Sequence, residues 1–220
     1  MRRTEWGRVV LLLIAAFSVG PMRLARADGA SNADTQALTR VEKALHDFDA
    51  VEMAFVQERI DKAGVAHDRT HGTLQLQKPN RFRWTYVDPA QVIVADGVSL
   101  WLYDPDLAQV TVRRLTEALN QTPALLLAGR GHVADGYTAS MASSVRGLDW
   151  VVLVPKDAAR EFRSLRLGFK GDALRGLEFE DALNEVTRIE FGEIHYGMKF
   201  KESVFQFTPP AGVDVIGRHP

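Results

Sequence analysis

Residues 74–103 constrain the fold more than any other part of this chain, because they hold three extended segments in quick succession. Leucines alternate with glutamines in the first segment, and aromatic residues alternate with arginine and threonine in the second. Successive side chains of a strand point to opposite faces, so each segment has one apolar and one polar face. Residues 78–80 form one turn, and Asp96-Gly97 forms another, because glycine supplies the positive φ of a tight hairpin. The stretch predicts an antiparallel meander with one apolar face.

Two helices are predicted beside the strands. Leu38, Val41 and Leu45 recur at three- and four-residue spacing, which predicts a helix with a single apolar stripe. Thr122 is a natural N-cap for a second helix, and Gly129 fits the position just after its end. This second helix is almost wholly apolar, so it must bury most of its surface on the core or on the open side of a sheet.

The remaining sequence predicts a mainly β protein of about ten or eleven strands with two or three short helices. One of these strands is predicted at residues 205–207, ended by the prolines at 209 and 210. A long antiparallel sheet curls because its strands twist. The predicted fold is therefore a curled antiparallel sheet whose apolar face is covered by a few helices. Alternation alone fits a solid core and a ligand-holding container equally well.

The N-terminus has the features of a cleavable secretory signal. Arginines precede an apolar run at residues 9–19, and Ala25-Arg26-Ala27 fits a small-x-small cleavage site. An uncleaved membrane anchor is the alternative. Residues 1–27 hold five arginines and one glutamate, so residues 28–220 keep 22 basic and 27 acidic residues, a net charge of −5. This balance argues against nucleic acid or an anionic membrane as the main partner. We expect a single exported domain spanning residues 28–220.

Catalytic motifs are mostly missing from the sequence. There is no cysteine, which removes thiolate nucleophiles and thiolate metal sites, and the six histidines form no compact ligand pair. A nucleophile elbow and a Walker loop are also missing. Glu178 and Glu180 share one face of a predicted strand, opposite Leu177 and Phe179, which is typical of a solvated face. A periplasmic hydrolase that uses Glu178 or Glu180 is the alternative from another functional class.

The strand and helix motifs together resemble the LolA family of periplasmic outer-membrane lipoprotein carriers. The resemblance rests on the following segments: Gly-Thr-Leu-Gln-Leu-Gln-Lys-Pro-Asn-Arg-Phe-Arg-Trp-Thr-Tyr at 72–86, Val-Ala-Asp-Gly-Val-Ser-Leu-Trp-Leu-Tyr-Asp at 94–104, Thr-Pro-Ala-Leu-Leu-Leu at 122–127 and Phe-Thr-Pro-Pro-Ala-Gly-Val at 207–213. It covers essentially all of residues 28–220. The lack of cysteine distinguishes the chain from LolB, a receptor of similar fold that is itself lipid-anchored.

The resemblance implies an incomplete antiparallel β-barrel with an α-helical lid over an apolar cavity. Such a protein is a monomer that shields the acyl chains of lipoproteins in the periplasm. It receives them from an inner-membrane ABC-type release complex and passes them to an outer-membrane LolB-like acceptor. It needs no cofactor or metal and has no catalytic residue. A LolA-like regulator that senses lipoproteins is the alternative within this fold.

The resemblance and the alternation also predict the site. The acyl-chain cavity and lid are expected to comprise Leu38, Val41, Leu45, Phe55, Leu74, Leu76, Phe82, Trp84, Leu100, Leu102, Ala124, Leu125 and Leu126. Lys78 stands where the family usually has an arginine that latches the empty lid. Lysine keeps the charge at this position but lacks the planar five-donor fork of arginine.

Overall fold

The computed structural model describes residues 32–118, 124–129, 131–157, 162–181 and 183–217. The predicted signal peptide, residues 1–27, and its cleavage site lie outside these residues, and so does the Thr122 cap. None of the described helices is long and apolar enough to cross a membrane.

The described part of the chain contains twelve strands and four short helices. The strands are β1 (Ala50–Ile60), β2 (Ala66–Gln77), β3 (Arg81–Tyr86), β4 (Gln91–Asp96), β5 (Ser99–Asp104), β6 (Gln109–Arg114), β7 (Tyr137–Val145), β8 (Leu148–Pro155), β9 (Phe162–Lys170), β10 (Ala173–Asp181), β11 (Val186–Tyr196) and β12 (Asp214–Gly217). The helices are α1 (Asn32–His46), α2 (Leu115–Ala118), α3 (Ala124–Ala128) and α4 (Val133–Gly136).

All twelve strands lie in one sheet, in the order β12-β6-β5-β4-β3-β2-β1-β11-β10-β9-β8-β7. The predicted mainly antiparallel sheet is confirmed, and the meander forms β2 to β5 in one half of it. The twelfth strand was not predicted: β12 pairs in parallel with β6, so that Asp214 lies opposite Gln109. Register shifts interrupt β1 between Met53 and Phe55 and β10 between Leu174 and Gly176. Such bulges increase the local twist and help the sheet to curl.

The strand predicted at residues 205–207 is wrong. Phe205 ends a short 3₁₀ helix (Glu202–Phe205), and it packs edge-to-face against Phe200 with 5.4 Å between the ring centroids. Phe205 is 1% exposed, whereas Phe207 packs on Trp101. A helical turn followed by extended chain therefore buries Phe205 fully and Phe207 in part. This arrangement gives the same sequence pattern as the alternation of a strand.

The two faces of the sheet have different covers. We call the inner face the one whose side chains join α1 and α3 in a single apolar cluster, and the outer face the opposite one. On the outer face, the C-terminal segment packs Phe207 and Val213 against a small second cluster that contains Val94, Trp101 and Val112. Because this second cluster covers the outer face of β5, the Leu-Trp-Leu-Tyr sequence at residues 100–103 is apolar on both faces of the strand.

The predicted hairpin at Asp96-Gly97 is confirmed. Gly97 has a φ of +102°, which favours glycine. The Asp96 carboxylate accepts hydrogen bonds from the backbone N–H groups of Val98 and Ser99 at 2.8 and 2.7 Å and from the indole N–H of Trp101 at 2.9 Å. One side chain thus fixes both the turn and the outer-face tryptophan.

Candidate functional site

Two helices cover the inner face of the sheet. The helix α1 buries Ala37, Val41 and Leu45 on it, in agreement with the predicted apolar stripe. The helix α3 lies beside β2 and β3 and ends one residue before Gly129, as predicted. Its last residue is tied to the β2–β3 turn, because the Asn80 N–H donates to the Ala128 carbonyl at 2.9 Å.

Polar contacts hold α1 against the opposite half of the sheet. The Arg40 guanidinium lies 3.3 Å from the Asp149 carboxylate and donates to the Gly171 carbonyl at 2.7 Å. Lys43 Nζ lies 2.7 Å from the Asp172 carboxylate, and this pair lowers the pKa of Asp172 and raises that of Lys43. The four groups are at least partly exposed, so these contacts form a tie that modest energies can break.

A largely apolar cavity of about 270 Å³ lies between the two helices and the sheet. Its walls come from the end of α1 and the segment after it, from α3, from β1 and β2, and from the β9–β10 turn. The lining residues are Ala44, Asp47, Phe48, Val51, Met53, Leu76, Leu127, Asp172, Ala173, Leu174 and Tyr196. Phe48 and Tyr196 lie 6.1 Å apart between ring centroids, and Tyr196 is 54% exposed. This aromatic pair therefore lies where the cavity meets the solvent.

Lys78 is buried beside this cavity, with 7% of its surface exposed. Its Nζ donates to the Phe48 carbonyl at 2.9 Å and lies 4.1 Å from the centroid of the Phe48 ring. Its backbone N–H donates to the Asp49 carbonyl at 2.8 Å. Lys78 thus fixes the junction between α1 and β1, and with it a residue that lines the cavity.

Every residue of the predicted cavity and lid whose side chain is described belongs to the inner-face cluster. Nine of the alternation and lid predictions lie there together with the aromatic pair Phe82 and Trp84; those nine are Leu38, Val41, Leu45, Phe55, Leu74, Leu76, Leu100, Leu102 and Leu126. Ala124 and Leu125 belong to α3, but their side chains lie outside the described part. Contact of these residues with acyl chains stays a prediction.

Sequence reasoning missed most of the residues that line the cavity itself. Of the predicted set, Leu76 lines it, whereas the neighbours Val51 and Met53 were not chosen. Their alternation with Glu52 carried the same signal as the alternation around Leu74. Asp172 and Tyr196 had no such signal, because a turn and a strand end bring them to the cavity.

An aromatic group on the inner face includes an unpaired donor. The Trp84 ring packs edge-to-face on Phe55 at 5.4 Å between centroids and stacks on Tyr86 at 5.9 Å. The Tyr86 hydroxyl donates to Gln57 Oε1 at 3.1 Å, and burial raises its pKa. The buried Trp84 indole nitrogen has no hydrogen-bond partner among the described residues. A buried donor of this kind costs about 1–3 kcal/mol.

The prediction of a solvated face at Glu178 is wrong. Glu178 is 4% exposed, and its two carboxylate oxygens accept hydrogen bonds from Arg188 Nε at 2.6 Å and Arg166 Nη1 at 2.9 Å. The arginines come from the neighbouring strands β11 and β9, and their ion pairs with Glu178 offset the free-energy cost of burying its carboxylate. Glu178 lies on the outer face with both oxygens engaged, which does not suit the acid of a hydrolase. In the described part, no group of three or more metal-ligating side chains is placed to hold a metal ion.

Comparisons with known proteins agree with this geometry. The family described as "Outer membrane lipoprotein carrier protein LolA" matches residues 46–208. An outer-membrane lipoprotein carrier protein of Methylococcus capsulatus is 40% identical over 188 residues, covering 85% of this chain and 90% of the relative. That of Methylobacillus flagellatus is 41% identical over 169 residues, covering 76% and 82%. The chain belongs to the LolA family.

The fold was also compared with those of solved structures. A conserved protein of Thermus thermophilus, described as uncharacterized, superposes with a TM-score of 0.51 at 14% identity, covering 84% of this chain and 98% of its own. A LolA superfamily protein of Nitrosomonas europaea gives a TM-score of 0.47, also at 14% identity, covering 80% of this chain and 98% of its own. The Thermus structure shows a shared fold, the open curled sheet with few helices.

Proposed function

We propose that this LolA-family chain carries lipoproteins through the periplasm, with their acyl chains shielded between the inner face of the sheet and the helices α1 and α3. The observation that carries the proposal is the apolar cavity between α1, α3 and the strands β1 and β2. Each buried methylene is worth about 0.8 kcal/mol, so acyl chains do not cross water unshielded. The relatives from Methylococcus capsulatus and Methylobacillus flagellatus are outer-membrane lipoprotein carrier proteins by name.

Loading requires the helices to move. The cavity of about 270 Å³ is smaller than the roughly 300 Å³ that even a compact ligand pocket usually offers. The buried side chains of α1 and α3 fill the rest of the inner face. The structure therefore fits a closed form of the carrier, and acyl chains replace helix side chains as partners of the sheet when α1 and α3 lift.

The carrier has to exchange its cargo with a donor and an acceptor. Under this proposal the donor is an inner-membrane ABC-type release complex and the acceptor is an outer-membrane LolB-like protein. The carrier itself needs no cofactor and does no bond chemistry in either step, because it exchanges only apolar contacts. Lys78 is the proposed latch, since it holds Phe48 at the edge of the cavity by a hydrogen bond and a ring contact.

Native mass spectrometry of the protein purified from a periplasmic extract without detergent tests the carrier proposal. We expect a population whose mass is raised by a bound acylated lipoprotein or its lipid fragment. The matched control is the same protein refolded from denaturant without lipid, which should give the bare mass and then take up added lipoprotein. A bare mass from the extract together with refusal of added lipoprotein would leave a LolA-type fold without the carrier function.

The tie between α1, Asp149 on β8 and the β9–β10 turn gives a second prediction. In the double variant Arg40→Gln/Lys43→Gln, we expect backbone amides of α1 to exchange hydrogen roughly twofold to fivefold faster, because the variant removes partly exposed ion pairs and the contact of Arg40 with the Phe169 ring. Arg59→Gln/Arg69→Gln is a control that removes the same charge, since these arginines form exposed pairs with Asp68 and Glu58 on β2 and β1. Equal protection of α1 in both double variants would show that the tie does not hold the lid.

The same tie has a predictable pH dependence. A hydrogen bond from Ser144 and then Arg40 lower the pKa of Asp149, and Lys43 lowers that of Asp172. A carboxylate with a lowered pKa in the folded state stabilises that state above its unfolded pKa and loses this effect as the pH falls through the folded value. The tie should therefore be unchanged between pH 5 and 8 and weaken only below about pH 4.

A further inference from the structure

A second cavity, of about 460 Å³, lies on the outer face of β8 to β11, on the opposite side of the sheet from the apolar cavity. Trp150 and Leu148 form its apolar wall. Gly168 and Gly176 leave room for the indole, because a Cβ atom at either position would lie 2.9 Å from the Trp150 ring. The Trp150 indole thus lies over two glycines on the adjacent strands β9 and β10.

Basic side chains surround this pocket. Arg146, Lys170, Arg175 and Arg188 line it, and Glu190 is the one carboxylate among its lining residues. Residues 28–220 carry a net charge of −5, so the local charge of this pocket is opposite in sign to the net charge of these residues. Concave sites lined by one sign of charge focus the field and attract the opposite charge.

Arg188 is held in place at the pocket by a buried carboxylate. Its side chain is 17% exposed, and Nε donates to Glu178. No described residue accepts a hydrogen bond from its two terminal nitrogens. The other oxygen of Glu178 binds Arg166, whose guanidinium lies 5.1 Å from the centroid of the Trp150 ring. The guanidinium of Arg188 is therefore fixed before any ligand arrives, with donors left to bind one.

The other three basic side chains of the pocket differ in how many contacts they already make. Arg146 approaches Glu190 at 3.9 Å, and Arg175 donates to the Gly192 carbonyl. Lys170 is exposed at the end of β9, with no recorded ion pair to another described residue. The pocket thus combines the guanidinium of Arg188, which a buried carboxylate holds, with two guanidinium groups that contact other groups and one exposed ammonium group.

We propose that this outer pocket binds a phosphate-bearing anion, with the phosphate against Arg188, Arg175 and Lys170 and its organic substituent against Trp150. Arginine forks match the oxygens of a phosphate. The volume exceeds the needs of a bare carboxylate and lies in the range of small-ligand pockets. The phosphate belongs either to a soluble phosphate ester or to an anionic lipid headgroup. The site does not depend on the carrier function, since it lies on the other face of the sheet.

The test compares two double variants that lose the same charge. Lys170→Gln/Arg175→Gln neutralises the pocket rim and leaves the Glu178 cluster intact. Lys199→Gln/Lys201→Gln neutralises two exposed lysines outside the pocket. Calorimetric titration with glycerol 3-phosphate probes the soluble source, and co-sedimentation with phosphatidylcholine vesicles, with and without phosphatidylglycerol, probes the lipid source.

We expect wild type and the control variant to bind one of these probes and the pocket variant to bind it at least about tenfold more weakly. Binding of glycerol 3-phosphate assigns a soluble ester, and binding only of the vesicles that contain phosphatidylglycerol assigns a lipid headgroup. The proposal is overturned if wild type binds neither probe or if both double variants bind equally. Tighter binding of a polyglutamate peptide than of either phosphate probe would also overturn it, in favour of an acidic protein partner.

Discussion

Replacing Glu178 with glutamine should destabilise the folded protein by about 3 kcal/mol, because it leaves two arginines without their shared carboxylate. Both arginines are mostly covered, with exposed side-chain fractions of 37% for Arg166 and 17% for Arg188. Glutamine keeps the shape of the side chain but offers one oxygen and no charge. For a domain of this size the loss corresponds to a fall in Tm of roughly 6–12 °C, measurable by calorimetry.

Glu180→Gln is the matched control, two residues further along the same face of β10. Glu180 is half-buried, and no ion pair with another described residue is recorded for it, so the change should stay within about 0.5 kcal/mol. A triple variant, Arg166→Met/Glu178→Leu/Arg188→Met, removes all three charges together and should recover most of the lost stability. Equal Tm values for Glu178→Gln and Glu180→Gln would contradict the account of the cluster.

The inner face could be predicted because one rule governs it. In a strand of the meander, every second residue meets the same helices, so alternation alone assigns Leu74, Leu76, Phe82 and Trp84 to one cluster. The turn at Gly97 could also be predicted, because its conformation depends only on the residues that form it. Alternation does not distinguish a side chain under the lid from one at the cavity, which is why most of the predicted residues belong to the inner-face cluster without lining the cavity.

The outer face could not be predicted in the same way. Alternation assigns polar residues to solvent, but Glu178 is buried by arginines from two other strands, and their approach depends on register. The strand β12 depends on a parallel partner about a hundred residues earlier in the sequence, and no local pattern signals such a pairing. Both features require knowledge of which strands are neighbours.

The closed form of the carrier combines a large apolar core with a few polar contacts between the helices and the sheet. Under the proposed function, apolar burial favours the closed lid and the loaded cavity alike, because either one covers the inner face. The proposed difference between the two states is then set by a few polar contacts: the partly exposed tie of Arg40 and Lys43, and the buried contacts of Lys78 with Phe48. We expect small changes in these contacts to shift the balance between uptake and release.

Lys78→Leu should bias the carrier towards the open lid and slow delivery of its cargo. The change removes a charged hydrogen bond to the Phe48 carbonyl and a cation–π contact with its ring, each worth about 1–2 kcal/mol when buried. A loss of 1.4 kcal/mol from the closed state alone raises the ratio of open to closed lids about tenfold. Because the open lid favours the loaded state, we expect normal or tighter cargo binding and at least about tenfold slower transfer to a LolB-like acceptor.

Transfer assays with purified, loaded carrier and immobilised acceptor give the measurement, and two variants make it specific. Lys78→Arg keeps a cation at the position and should transfer cargo within a few-fold of wild type, because arginine can still reach the Phe48 carbonyl. Lys62→Leu removes an exposed lysine from the β1–β2 turn and should change nothing. Calorimetry separates a latch from a purely structural residue: a variant that has lost stability but still takes up cargo and releases it at the normal rate would show that Lys78 supports the fold without controlling the lid.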